Sequence, residues 1–153
     1  IAGFRRDVAK GAVLALFLPI FAGLWRTICS QAMACALRGL SLSNPAAYVR
    51  RQIIKETWLG LLNGVLTGVL AGIGMYIIVS RRPEYGDATD FALLTALAMA
   101  LSCMMAALLG AGIPFLLRKL GFNPAMAANL VMSGLTDMLS IGLFLTMAVA
   151  FVL

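Results

Sequence analysis

Asp137 is a lone acid in the middle of an apolar stretch that runs from Pro124 to Leu153. Placing a carboxylate in hydrocarbon costs about 2.5–3.5 kcal/mol even on insertion scales, so a chain that keeps one has a use for it. Asn129, Ser133 and Asp137 are spaced by four, with Thr136 and Ser140 flanking, and all five fall on one helical stripe. The stripe is about 16 Å long at 1.5 Å per residue, and Asp137 lies about 20 Å from Pro124, near mid-bilayer. Carboxylate, amide and hydroxyl oxygens are the donors a hard divalent cation takes. Mg²⁺ keeps several of its waters and needs only one or two carboxylates. One Asp per chain is few, and a two-fold axis supplies its mate, which predicts a symmetric homodimer around one pore. A structural alternative stands beside this one. Arg26, the only base deep in a helix, pairs with Asp137 in a non-conducting scaffold or regulatory subunit.

The elements that position these residues are membrane helices. Of 153 residues, 62% are hydrophobic and 12% charged, with mean hydropathy +0.99. A soluble domain carries about 25% charged residues. Charged clusters divide the chain into four apolar segments, at about 8–38, 58–80, 91–117 and 124–153. Each meets the roughly 20 residues a spanning helix needs, and backbone satisfaction in lipid requires helices there. The predicted fold is an all-α bundle of four long transmembrane helices forming a single ion-transport domain over 1–153. A short interfacial helix carrying Arg50, Arg51 and Lys55 is expected after Asn44-Pro45. In the tight turn before the last helix, Gly121 ends one helix and Asn123-Pro124 starts the next.

The net charge of +6 is not a nucleic-acid stripe, because the basic residues gather at segment ends as membrane flanks do. Arg38, Arg50, Arg51, Lys55, Arg118 and Lys119 define a cytoplasmic side. Arg5, Arg6, Lys10, Arg81 and Arg82 lie opposite, diluted by Asp7 and by the loop acids Glu84, Asp87 and Asp90. Both termini are then expected outside, with an earlier helix preceding Ile1. The chain has no histidine, which rules out His-ligated zinc and His-based triads. No base stands beside a candidate nucleophile, so the sequence reads as a transporter and not an enzyme. Cys29, Cys35 and Cys103 have no paired spacing and read as small packing residues.

Two further rhythms concern packing. Gly60, Gly64, Gly68 and Gly72 recur every four residues, as do Ala92, Ala96 and Ala100, which predicts close helix contact. Asn63 and Thr67 lie beside the glycines, within reach of a neighbouring helix.

Gly110-Ala111-Gly112-Ile113-Pro114-Phe115-Leu116-Leu117-Arg118-Lys119-Leu120-Gly121-Phe122-Asn123-Pro124-Ala125, followed by Asn129 and Leu135-Thr136-Asp137, resembles the last two membrane helices of the MgtE family of magnesium transporters. Lys55-Glu56, Gly60, Asn63 and Gly64 look like the start of that family's third helix. Pro19, Gly23, Gln31 and Arg38-Gly39-Leu40 fall where its second helix has like residues. The resemblance covers nearly the whole chain, without the family's first helix and cytoplasmic domains. It implies a homodimeric Mg²⁺ channel or transporter of the bacterial inner membrane, with its pore between second and fifth helices. Asp137 then falls on the aspartate that binds the hydrated ion, and Asn129 on a pore-lining asparagine. Other divalent cations are possible cargo. The likeness departs between Gly23 and Gln31, where the family has a glycine- and asparagine-rich run facing the pore. Thr27 stands at the asparagine, and Trp25 and Arg26 replace glycines. Unless they turn from the axis, Trp25 narrows the path and Arg26 raises the barrier to cations.

Overall fold

The computed structural model describes residues 18–41, 45–81 and 87–125, with positions 138, 141, 142 and 146. Three long helices carry these residues: α1 (Leu18–Leu40), α2 (Pro45–Ser80) and α3 (Ala88–Lys119). All three are long and apolar enough to cross a membrane, in line with the segments expected from hydropathy.

One expectation is corrected. No separate interfacial helix precedes the second span, because α2 runs without a break from Pro45 through Arg50, Arg51 and Lys55 to Ser80. Pro45 occupies the first helical position, where its missing N–H costs nothing. From Tyr48 to Thr57 there is neither Gly nor Pro, and Arg, Gln, Lys and Glu are good helix formers. The charges mark where the helix leaves the apolar layer, and they do not end it.

The three helices alternate in direction. Gly39 near the end of α1 meets the ring of Tyr48 at the start of α2. Arg118, in the last turn of α3, donates from Nη1 to the Leu40 carbonyl at 2.7 Å. The C-terminal ends of α1 and α3 and the first turns of α2 therefore share one end of the bundle. Arg38, Arg50, Arg51, Lys55, Arg118 and Lys119 all gather there.

Small residues set the α2–α3 contact, as their spacing predicts. A Cβ at Gly64 would stand 2.7 Å from the Cys103 Cβ and 2.8 Å from the Ala100 Cα. At Gly68 it would stand 2.6 Å from the Ala96 carbonyl oxygen, and at Gly72 2.9 Å from that of Ala92. Backbones that close leave no room for a side chain, which is how small-xxx-small seams hold helices together in lipid. Gly110 of α3 meets the Cys29 backbone of α1 in the same way. Two apolar clusters fill the remaining space. Phe21, Met75, Val79, Phe91, Leu94 and Met99 pack near one end, and Trp25, Ile28, Cys29, Ala32, Cys103 and Ala107 lie further along. Cys29 and Cys103 are buried free thiols and Cys35 is half-buried, in keeping with a packing role.

The helix ends follow local chemistry. The Asp87 carboxylate accepts from the Thr89 hydroxyl at 2.6 Å and from the Thr89 N–H at 3.0 Å, capping α3. α3 closes in a Schellman arrangement, with Phe122 N–H to the Leu117 carbonyl at 3.0 Å and Gly121 N–H to that of Arg118 at 3.1 Å. Gly121 takes φ +82°, a left-handed conformation that suits glycine. Asn123 Oδ1 then accepts from Ala125 N–H at 3.1 Å, and Pro124 opens a helical turn. Thus the turn expected at Gly121-Phe122-Asn123-Pro124 is present.

Candidate functional site

Asp137, Asn129, Ser133, Thr136 and Ser140 lie outside the described residues. Met138, Ile141, Gly142 and Thr146 beside them are helical and exposed, and the Thr146 hydroxyl donates to the Gly142 carbonyl at 2.9 Å. The other two candidates, Arg26 and Thr27, lie on α1, and there the structure is informative.

Phe21, Trp25, Ile28, Cys29, Ala32, Ala36 and Gly39 are the buried residues of α1. Its exposed residues are Pro19, Ile20, Gly23, Arg26, Thr27, Ser30, Gln31, Ala34 and Arg38. At 100° per residue the exposed set covers an arc of roughly 140°, and beyond Ile20 that arc is small or polar. The Thr27 hydroxyl donates to the Gly23 carbonyl at 2.9 Å and that of Ser30 to the Thr27 carbonyl at 2.9 Å. Each hydroxyl therefore keeps its lone pairs facing outward. Nothing lies within 4 Å of a Cβ built on Gly23, so the face is open there.

Trp25 does not share that face. It is 2% exposed and packs among Ile28, Ala32, Cys103 and Ala106, so its bulk fills the bundle and leaves the exposed side clear. Positions two apart on a helix are separated by about 200°, which puts Trp25 roughly opposite Thr27. Its Nε1 is buried without a hydrogen-bond partner, so volume decided its place. Arg26, in contrast, sits on the exposed side.

A second polar group was not singled out from the sequence as a site. The buried seam of α2 continues past Gly60 into Glu56 and Gln52, each 8% exposed. Gln52 Nε2 donates to Glu56 Oε1 at 2.7 Å, and the Cys35 thiol of α1 hydrogen-bonds the same carboxylate. Glu56 opens onto a cavity of about 350 Å³ that Gln31 and Asn63 also line, with Ile28, Leu59, Leu62, Leu66 and Ala107 as its apolar wall. Gln31 thereby joins the exposed face of α1 to the buried carboxylate. The spacing Gln52–Glu56–Gly60 carried a signal for this, since it prolongs the glycine stripe. Gln31, however, comes from another helix, and no periodicity within α2 points to it.

At the other end of the bundle, the hydrogen bonds from Thr89 hold the Asp87 carboxyl below its ordinary range. Asp90 lies in the first turn of α3, where an acid complements the helix dipole. Two of the three loop acids are thus helix-end groups. Among the described residues, no group of three or more Cys, Asp or Glu side chains is placed to grip a bare metal ion.

These helices and this water-compatible face define a multi-pass integral membrane protein with a polar surface inside its apolar layer. The chain belongs to the MgtE family, described as divalent cation transporters, whose profile matches residues 18–147; it is a family of transporters and not of enzymes. The magnesium transporter MgtE of Enterococcus faecalis is 27% identical over 152 residues, covering 99% of this chain and 32% of that protein. Its counterpart from Thermus thermophilus is 27% identical over 150 residues, covering 97% and 31%. That of Bacillus subtilis is 29% identical over 155 residues, covering 99% and 33%. The chain thus spans about a third of the length of these relatives. No solved structure matches it.

Proposed function

We propose that this chain is the ion-conducting part of a divalent-cation transporter, with Mg²⁺ the foremost cargo. Two copies oppose the exposed faces of α1 across a two-fold axis, and the segment bearing Asp137 completes the path. The observation that carries this reading is the polar and small-residue face of α1 within a helix long enough to span the bilayer. Lipid offers hydroxyl and amide groups no partners, whereas an aqueous path does. In this arrangement Asp137 and its symmetry mate supply charge to a hydrated cation, and Asn129 orders the ion's water shell. Ser133, Thr136 and Ser140 prolong the polar stripe, while Thr27 faces them from α1. Arg26 sets an electrostatic barrier at the same wall. The basic end of the bundle faces the cytoplasm by the positive-inside rule. An inside-negative potential of 100 mV then contributes about 4.6 kcal/mol to the entry of a doubly charged ion.

The test is ion flux into liposomes holding the whole protein, with Mg²⁺, Mn²⁺, Co²⁺, Ca²⁺ and Na⁺ compared. Asp137→Ala is expected to abolish divalent uptake while cross-linking still traps the dimer. Normal Mg²⁺ flux in that variant removes the proposal.

A further inference from the structure

We propose that Glu56, Gln31 and Asn63 form a second divalent-cation site, between α1 and α2 toward the basic end of the bundle, which holds the ion through its water shell. The proposal rests on the transport reading for its place on an ion path, but the site itself is argued from its own geometry.

Glu56 is an acid buried on a membrane helix, and such groups are retained only with a compensating partner. Its hydrogen-bond partners here are neutral: the Gln52 amide and the Cys35 thiol. Arg38 and Lys55 are exposed near this end, close enough for their charges to act on Cys35. The Gln52 amide fixes one carboxylate oxygen from within the same helix. The carboxylate borders a cavity of about 350 Å³. Six waters at about 30 Å³ each require about 180 Å³, so a hexahydrated ion fits without losing its shell. Glu56 supplies negative charge, and the amide oxygens of Gln31 and Asn63 accept hydrogen bonds from the ion's waters. A small, strongly hydrated cation can be held by such a donor set, one carboxylate with neutral oxygens that reach the ion's own waters. Gln31 belongs both to this cavity and to the exposed face of α1, so an ion leaving that face meets Glu56 next.

Cys35 supplies a reporter, because its half-buried thiol touches the Glu56 side chain while Cys29 and Cys103 are buried. In the whole protein carrying Cys29→Ala and Cys103→Ala, Cys35 is labelled by a small methanethiosulfonate with and without 10 mM Mg²⁺. Mg²⁺ is expected to slow labelling at least threefold, and to do so equally in an Asp137→Asn background. Glu56→Gln is expected to remove the protection, Glu56→Asp to retain part of it, and Asn63→Leu, at the open side, to weaken it without touching the Gln52 bond. Mg²⁺ flux should fall at least threefold in Glu56→Gln. Protection that persists in Glu56→Gln, or that no divalent ion produces in the parent, overturns the site. If Asp137→Asn loses flux while Glu56→Gln keeps both flux and labelling rate, the transport reading survives and this inference fails. If the parent carries no flux yet shows Glu56-dependent protection, the site stands and the transport reading falls.

Discussion

The outward faces of α1 and α2 belong to helices of the same bundle, yet they meet different surroundings. On α2, away from the Glu56 cavity, the exposed side reads Trp58, Val65, Val69, Leu70, Ile73 and Ile77, with Leu70 71% exposed. On α1 it reads Gly23, Thr27, Ser30, Gln31 and Ala34. Large apolar side chains turned outward are what hydrocarbon solvates, and in water they would form a patch far larger than soluble proteins carry. Small and hydroxylated residues give lipid little contact but leave space and lone pairs for water, ions or a second backbone. On the proposed reading the α2 face meets lipid and the α1 face lines the ion path, and burial alone, which both faces lack, does not distinguish them.

Steric insertion tests that contrast most strongly. Thr27→Phe on the α1 face is expected to cut Mg²⁺ flux at least tenfold without loss of assembly, whereas Leu70→Phe on the α2 face leaves it within twofold. Equal effects at both positions would erase the distinction.

Glycine substitutions sharpen it from the side of stability. Gly64→Leu drives a side chain into the Ala100 backbone and is expected to cost about 1–3 kcal/mol as overpacking, read as a lower melting temperature in detergent. Gly23→Ala meets open space and is expected to be neutral or to stabilise by up to about 1 kcal/mol through helix propensity. A melting temperature unchanged by Gly64→Leu contradicts the seam.

Charge on the α1 face gives a smaller effect. Arg26→Gly removes a guanidinium from the proposed wall and is expected to raise divalent conductance severalfold with folding intact. In a scaffold held by an Arg26–Asp137 pair, the same change strands a buried carboxylate and lowers the melting temperature instead.

The smallest expected effect lies at the Asp87 cap. Its folded-state pKa is depressed by the Thr89 hydrogen bonds, so its contribution is present above the unfolded carboxylate pKa and is lost as pH falls through the folded one. Thermal stability should drop slightly on acidification through that window, and Asp87→Ala should flatten this part of the profile. An identical pH profile in the variant would show that the cap contributes nothing.

Much of this architecture was legible in residue spacing. The Gly60–Gly72 and Ala92–Ala100 rhythms announced close helix packing, because a period of four puts small residues on one face, while their meeting each other is seen in the fold. Gly121 and Asn123-Pro124 announced the turn, since each has a local conformational reason to be there. Errors arose where charge was read as punctuation. Arg50, Arg51 and Lys55 looked like a separate surface helix, although nothing among them breaks one. Asp87 was grouped with a loop, although Asp immediately before an apolar helix is a strong N-cap signal. Which way Trp25 turns is left open by the sequence, and its burial in the bundle settles it.

Composition, hydropathy and periodicity were enough to establish a helical membrane protein, three of its spans and its packing seam, because lipid forces every backbone group into helices and favours small residues where those helices touch closely. Which polar residues meet was settled only by tertiary structure. Glu56 acquires Cys35 and a cavity shared with Gln31 because α1 lies against α2 with one particular rotation, and that rotation is fixed by the joint fit of Trp25 and Cys29 against Cys103, Ala106 and Gly110 of α3. No pattern within a single helix encodes the angle at which another helix presents its side chains.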